Sequence, residues 1–77
     1  MPNLTPQPRS KIVKALTRVY SWHHLREGGS HTIFAKPGVP EVIALPRHRE
    51  ISAGVIRNMC RVLGTSVGEF MQTLRHC

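Results

Sequence analysis

The residues best suited to chemistry stand in one short run, Gly28-Gly29-Ser30-His31. Histidine is the side chain whose ordinary pKa places its charge change near neutral pH, so His31 could take a proton from a substrate or give one. The two glycines permit a sharp backbone turn before it, because they lack a Cβ that would clash. The β-branched and aromatic residues Thr32 to Phe34 follow, as is typical of a strand. The spacing predicts an imidazole at the start of a strand, beside a tight turn.

The overall charge indicates a polyanionic partner. The chain of 77 residues has 11 lysines and arginines against 4 acidic residues, a formal net charge of +7. Such an excess suits nucleic acid, an anionic membrane surface or an acidic protein, although basic charge can also serve solubility alone. All four acids are glutamates, and the absence of aspartate disfavours a carboxylate-rich Mg²⁺ site.

A chain of this length is sufficient for one domain and buries a modest core. We expect the proline-rich residues 1–9 to form a flexible N-terminal arm and residues 10–77 to form the domain. The spacing of Cys60 and Cys77 matches neither a metal site nor a disulfide framework, so we expect no metal and no other cofactor. No apolar run reaches the length of a membrane span and no signal peptide is evident, so we expect a cytoplasmic protein that does not bind membranes.

The hydrophobic periodicity predicts an α-β-β-β-α order with a short additional C-terminal helix. We predict helices over 10–20, from Ser52 to about Gly64, and from Ser66 to about 75, and strands over 22–26, 32–36 and 41–45. Serines at 10, 52 and 66 are the predicted helix N-caps. The predicted apolar face of the first helix is formed by Ile12, Val13, Leu16, Val19 and Tyr20. The predicted fold class is α+β, with two helices packed on one face of a three-stranded antiparallel sheet.

This order, with a basic surface, resembles the double-stranded RNA-binding domain fold, which recognises A-form RNA by its shape. On that resemblance alone, the chain would be a non-catalytic RNA-binding module. A DNA-binding regulator is disfavoured, because the sequence has no helix-turn-helix signature.

More specific features resemble the HicA toxin family over about residues 10–75. The shared features are an aromatic residue before the first strand, an arginine within it, a Gly-Ser-His turn and a proline-histidine end to the third strand. The residues concerned are Trp22, Arg26, Gly29, Ser30, His31, Phe34, Leu45, Pro46, Arg47 and His48, followed by Gly54, Arg57, Leu63, Gly64, Glu69 and Phe70 in the helical region.

The resemblance implies a toxin of a type II toxin–antitoxin pair. Members of this family are small RNases of double-stranded RNA-binding-like fold that cleave mRNA, and HicB antitoxins neutralise them in a hetero-oligomeric complex. Motif position makes His31 the catalytic histidine. The chain departs from the family at Ser21, where a glycine is usual, and at His23-His24, which replace apolar residues. Both departures concern the packing of the first strand.

RNA can be cleaved without a metal if a base removes the 2′-hydroxyl proton and the resulting oxygen attacks the adjacent phosphorus. His31 suits that role, Arg26 or Arg47 could stabilise the charged phosphorane, and His48 could act as a second proton carrier. Backbone N–H groups of the turn could cradle a phosphate oxygen. The predicted substrate-binding residues are Arg26, Gly29, Ser30, Arg47, His48 and Arg49.

Two structural alternatives remain open at this point. His31 could be a polar residue that only caps the turn, and the loop 47–49 could be an ordinary solvated basic segment. Strand alternation places His31 and Ile33 on one face and Phe34 on the other. Since catalysis requires an accessible imidazole, we expect Phe34 to face the helices and His31 to lie on the open face.

Overall fold

The computed structural model describes residues 4–77, so the first three residues of the expected arm lie outside the described part of the chain. Within that range the elements follow in the order β1 (Gln7–Pro8), α1 (Arg9–Lys14) continued by a π-helical segment (Ala15–Val19), β2 (His23–Gly28), β3 (His31–Ala35), β4 (Ile43–Pro46), β5 (Glu50–Ile51), α2 (Ala53–Leu63) and α3 (Val67–Arg75). The predicted α+β class and its α-β-β-β-α layout are confirmed. No helix among these residues is long and apolar enough to cross a membrane.

The main sheet is an antiparallel meander in the order β2-β3-β4, with β3 at its centre. Its register places His31 opposite Gly28 on one side and opposite Pro46 on the other. Pro46 is tolerated as the last residue of β4 because that strand lies at the sheet edge, where a missing N–H breaks no ladder. The three chain segments that meet at this end of the sheet therefore surround the start of β3.

The helices cover one face of the sheet and create a single apolar core. Phe34 is 2% exposed and belongs to this core, which confirms its predicted orientation towards the helices. The core is formed by Ile12, Ala15, Leu16, Trp22, Phe34, Ile43, Leu45, Ile51, Ile56, Met59, Cys60, Phe70 and Leu74. Because side chains alternate along β3, His31 and Ile33 lie on the opposite face. We call that side the outer face, defined by Arg26, Gly28, His31 and Ile33.

The beginning of the described chain is held by a second, two-stranded sheet that the sequence does not predict. β1 pairs antiparallel with β5, and the N–H of Arg9 donates to the carbonyl of Arg49 at 2.9 Å. The prediction of Ser10 as a helix N-cap is wrong, since α1 begins at Arg9 after Pro8, without a side-chain cap. The pairing of β1 fixes the chain before Ser10, so the helix needs no capping hydroxyl there.

The helix after Lys14 changes to π-helical geometry, in which the N–H of Tyr20 donates to the carbonyl of Ala15 at 3.1 Å. The wider turn shifts the residues that follow it relative to an α-helical pattern. Val19, expected on the apolar face, is instead 53% exposed. Tyr20 packs on Phe70 of α3, with ring centroids 5.9 Å apart. The prediction for Val19 fails because it assumed a constant period of 3.6 residues.

The two C-terminal helices follow the predicted capping chemistry. The Ser52 hydroxyl accepts from the Val55 N–H, and Gly64 ends α2 in the left-handed region with φ +73°. Ser66 accepts from the N–H of Glu69 at 3.1 Å and donates its hydroxyl to the Glu69 carboxylate at 3.0 Å. The predicted caps at Ser52 and Ser66 are confirmed. Glu69 has the N3 position of a capping box, but its carboxylate accepts from the Ser66 hydroxyl rather than from the Ser66 backbone N–H.

Candidate active site

His31 is the first residue of the central strand and follows a two-residue turn, Gly29-Ser30. Gly29 has φ +60°, a backbone conformation that other residues adopt at a cost. The imidazole is partly buried, and its Nδ1 lies 3.1 Å from the Ser30 hydroxyl oxygen. No hydrogen bond to Nε2 is formed by residues 4–77. The turn thus orients the ring through Nδ1.

Arg47, the residue after β4, forms hydrogen bonds to the Gly29-Ser30 turn. Its backbone N–H donates to the carbonyl of Ser30 at 3.1 Å, and its guanidinium donates to the carbonyl of Gly29. The same guanidinium forms an ion pair with Glu27, with Nε and Oε1 3.0 Å apart. Arg47 therefore holds the His31 turn in place, and part of its hydrogen-bonding capacity is already used.

The Glu27 carboxylate is the centre of a polar cluster along this edge. It accepts hydrogen bonds from His24 Nε2 at 2.7 Å and from the Thr32 hydroxyl at 3.0 Å, in addition to its pair with Arg47. The hydrogen bond from His24 contributes most to lowering the pKa of Glu27, and the Thr32 hydroxyl and the charge of Arg47 lower it further. Glu27 is therefore an anion at neutral pH.

Arg9 joins the start of α1 to the same cluster. Its Nη2 donates to the Thr32 hydroxyl at 2.7 Å, and its Nε donates to the carbonyl of Pro46 at 3.2 Å. Sequence reasoning missed this residue and Glu27. A two-residue turn implies the pairing of Glu27 with Thr32, so that contact had a signal in the sequence. The contact of Arg9 had none, because 23 residues separate it from Thr32.

Arg26 lies on the outer face with His31. It pairs with Ile33 across the β2–β3 ladder, and Gly28, two residues further along β2, pairs with His31. A Cβ placed on Gly28 would meet Nη1 of Arg26 at 3.0 Å. The guanidinium therefore lies over Gly28, opposite His31, and it forms no ion pair with residues 4–77. The structure therefore places an exposed cation on the same face of the sheet as the imidazole.

The remaining predicted residues lie at the neighbouring edge. His48 and Arg49 are exposed in the bend between β4 and β5, and the Arg49 side chain lines an open concavity with Pro8 and Glu50. In the described part of the chain, no side-chain hydrogen bond joins His48 or Arg49 to the His31 turn. The structure thus brings Arg26, Gly29, Ser30, His31 and Arg47 together and leaves His48 and Arg49 at the rim.

Other reactive side chains are placed away from this site. Cys60 is 2% exposed in the core, and burial raises the pKa of its thiol, which disfavours a nucleophilic thiolate. Trp22 is 2% exposed and has no free face for a nucleobase. Among residues 4–77, no three His, Cys, Asp or Glu side chains gather as metal ligands would.

The fold and the site define a small basic α+β protein that presents a histidine at a Gly-Ser turn, beside an arginine that has no ion-pair partner among the described residues. A family model described as the HicA toxin of bacterial toxin–antitoxin matches residues 9–65, which include the whole three-stranded sheet and the site. The chain belongs to this family and is a toxin of a toxin–antitoxin system. Comparison with curated proteins and with solved structures finds no match.

Proposed function

We propose that this toxin is a metal-independent endoribonuclease that cleaves mRNA in the cytoplasm and so inhibits translation. The observation that carries the proposal is the position of His31, with its Nδ1 held by Ser30 and the Arg26 guanidinium on the same face. A protein that only bound phosphates would have no need for an imidazole fixed in this way.

In the proposed reaction, Nδ1–H of His31 donates to the Ser30 hydroxyl oxygen, so that Nε2 carries no proton. Nε2 then removes the proton of a ribose 2′-hydroxyl, and the 2′-oxygen forms a bond to the adjacent phosphorus. The bond from phosphorus to the 5′-oxygen breaks, leaving a 2′,3′-cyclic phosphate on one fragment. A proton from His48 or from water completes the 5′-hydroxyl of the other. Proton transfer by a positioned side chain contributes roughly 10²–10⁴-fold to the rate.

The charge that develops on the non-bridging oxygens of the phosphorane is stabilised by a cation aimed at them. Arg26 supplies a planar donor that can contact two phosphate oxygens at once. Gly29 and Ser30 are the proposed backbone contacts to the phosphate. Arg47, which is held by Glu27, binds substrate only through the donors that Glu27 and Gly29 leave free, and His48 and Arg49 extend the basic rim for the RNA backbone.

We further propose that the partner is a HicB-like antitoxin that neutralises the toxin in a hetero-oligomeric complex. The toxin has 11 lysines and arginines against 4 acids, so a partner with an acidic surface complements it. Such a surface laid over His31 would exclude RNA from the site.

The test is cleavage of an mRNA transcript in EDTA by the wild type and by His31→Ala. We expect the wild type to remain active and the variant to lose about 100-fold or more of its rate. His76→Ala, which removes an exposed histidine at the end of α3, is the matched control and should cleave like the wild type. Circular dichroism establishes that each variant is folded.

Each alternative has its own result. Undiminished cleavage by His31→Ala would show that His31 is not catalytic. Activity that disappears in EDTA and returns with a divalent cation would contradict a metal-independent mechanism. RNA binding by the wild type without any cleavage would identify the protein as a binding module instead.

A further inference from the structure

We infer that Gly28 is a positioning residue for the cleavage reaction, because its missing side chain leaves the space in which the Arg26 guanidinium lies opposite His31. The inference rests on the proposed nuclease function. It assigns a role to a glycine outside the Gly-Ser-His motif. It also gives different roles to Arg26 and Arg47, which the sequence alone had offered as equivalent phosphate ligands.

The first observation is the register of the hairpin. Arg26 and Gly28 are two residues apart in β2 and so share a face, and their partners in β3 are Ile33 and His31. A side chain that runs from Arg26 over Gly28 travels one step of about 6.6 Å along the strand. Its end then lies at the position directly across from His31.

The second observation is the space around Gly28. An added Cβ would lie 3.0 Å from Nη1 of Arg26, which is tighter than nine in ten real Cβ contacts. The nearest atom of Ile33 would be 3.5 Å away, an ordinary contact distance. Since Nη1 is the tip of a flexible side chain, the guanidinium would move and the backbone would stay. Gly28 has no positive φ, so alanine fits its backbone conformation.

The third observation is the difference between Arg26 and Arg47. The Arg47 guanidinium is bound by the Glu27 carboxylate and by the carbonyl of Gly29. Arg26 has no carboxylate partner within residues 4–77. Its guanidinium can therefore form an ion pair with a phosphate of the substrate. A substitution that displaces Arg26 therefore removes the cation beside His31 without disturbing the Arg47 contacts that hold the turn.

The experiment is a double-mutant cycle in single-turnover cleavage of a labelled RNA, with Gly28→Ala, Arg26→Ala and the double variant. We expect Gly28→Ala to lower the maximal cleavage rate constant by about threefold, with a smaller effect on KM. The added Cβ makes the guanidinium move by a few tenths of an ångström, and a displacement of about 1 Å can cost up to 10²-fold. Arg26→Ala should lose at least as much. In the Arg26→Ala background, Gly28→Ala should change the rate by less than about twofold, since interacting residues are non-additive.

Gly54→Ala is the matched control, because a Cβ at Gly54 meets nothing within 4 Å and its φ is not positive. It should cleave at the wild-type rate. Arg26→Lys keeps the charge but not the planar fork, and should recover only part of the activity lost in Arg26→Ala.

Several results would overturn the inference. They are wild-type cleavage by a folded Gly28→Ala variant, a multiplicative loss in the double variant, wild-type cleavage by Arg26→Ala, or a Gly28→Ala variant whose circular dichroism spectrum is that of an unfolded chain. None of these would affect the assignment of His31. Wild-type cleavage by His31→Ala would instead overturn the proposed function itself.

Discussion

At the scale of single residues, the Glu27 carboxylate determines which of the two arginines near His31 forms an ion pair within the protein. It is one of only four acids in the chain, and it lies beside His24, Thr32 and Arg47. Its ion pair with Arg47 holds that guanidinium against the turn that precedes His31. The sequence alone had offered Arg47 as a phosphate ligand. On the outer face, Arg26 has no such partner among the described residues. Glu27 therefore binds one of the two arginines, Arg47, and leaves Arg26 without a carboxylate partner among the described residues.

The linkage between Glu27 ionisation and folding gives a prediction for Glu27→Gln. Folding lowers the pKa of Glu27, so its contribution to stability is present above the unfolded glutamate value of about 4.3 and is lost as the pH falls through the lower folded value. We expect the variant to be less stable than the wild type at neutral pH and the difference to shrink at about pH 3. Urea unfolding at both pH values measures it.

Glu50→Gln is the control for the loss of one negative charge, because Glu50 forms no ion pair with residues 4–77. It should show a much smaller difference at neutral pH. A Glu27→Gln effect that is equal at both pH values would mean that the ionised carboxylate is not what stabilises the cluster.

At the scale of elements, the junction between the first helix and β2 carries a strained residue. Ser21 has φ +61° and is the one non-glycine residue with positive φ in residues 4–77. The turn is required because the N–H of Trp22 donates to the carbonyl of Leu16 at 2.8 Å while the Trp22 side chain enters the core. A glycine at this position, as the family usually has, would adopt the positive φ without strain. This chain adopts the positive φ with a serine.

Ser21→Gly should stabilise the protein. A left-handed conformation costs a residue with a Cβ about 1–2 kcal/mol, part of which is offset by the greater freedom of glycine in the unfolded chain, so we expect a gain of about 0.5–1 kcal/mol in the free energy of unfolding. Urea denaturation provides the measurement. Ser10→Gly, at an exposed position in α1, should destabilise by a similar amount. A destabilised Ser21→Gly variant would contradict the argument from strain.

At the scale of the whole molecule, one core connects every helix to the sheet. Its members come from α1 and the π-helical segment, from β3, β4 and β5, and from α2 and α3, together with Trp22 just before β2. Cys60 is part of this core, whereas Cys77 is exposed. Cys77 is therefore accessible to a reagent in the folded protein, whereas Cys60 becomes accessible only when the core opens.

We expect iodoacetamide to modify Cys77 alone in the folded toxin and both cysteines in denaturant. Burial shields the Cys60 thiol and raises its pKa, which lowers the thiolate fraction that reacts. Mass spectrometry of the labelled chain counts the modified sites. Cys77→Ser should take up no label while folded, and rapid native labelling of Cys60 would show that the core opens locally.

The sequence by itself determined the features that depend on neighbouring residues. The caps at Ser52 and Ser66, the end of α2 at Gly64, the order of helices and strands, and the turn before His31 all follow from local chemistry, and all appear in the structure. The family of the chain is also visible from local motifs. Features that depended on distant segments were missed, namely the pairing of β1 with β5 and the π-helical turn that exposes Val19.

Only the tertiary structure decided which face His31 occupies. Ile33 and Phe34 are both apolar, so strand alternation alone could not select the buried side. The helices pack on the face of Phe34, and this places His31 on the outer face. The same holds for the arginines: Arg26 and Arg47 are alike in sequence, but the hairpin register puts one opposite His31 and the end of β4 puts the other against Glu27. These outcomes depend on contacts between segments far apart in the chain, which no local pattern records.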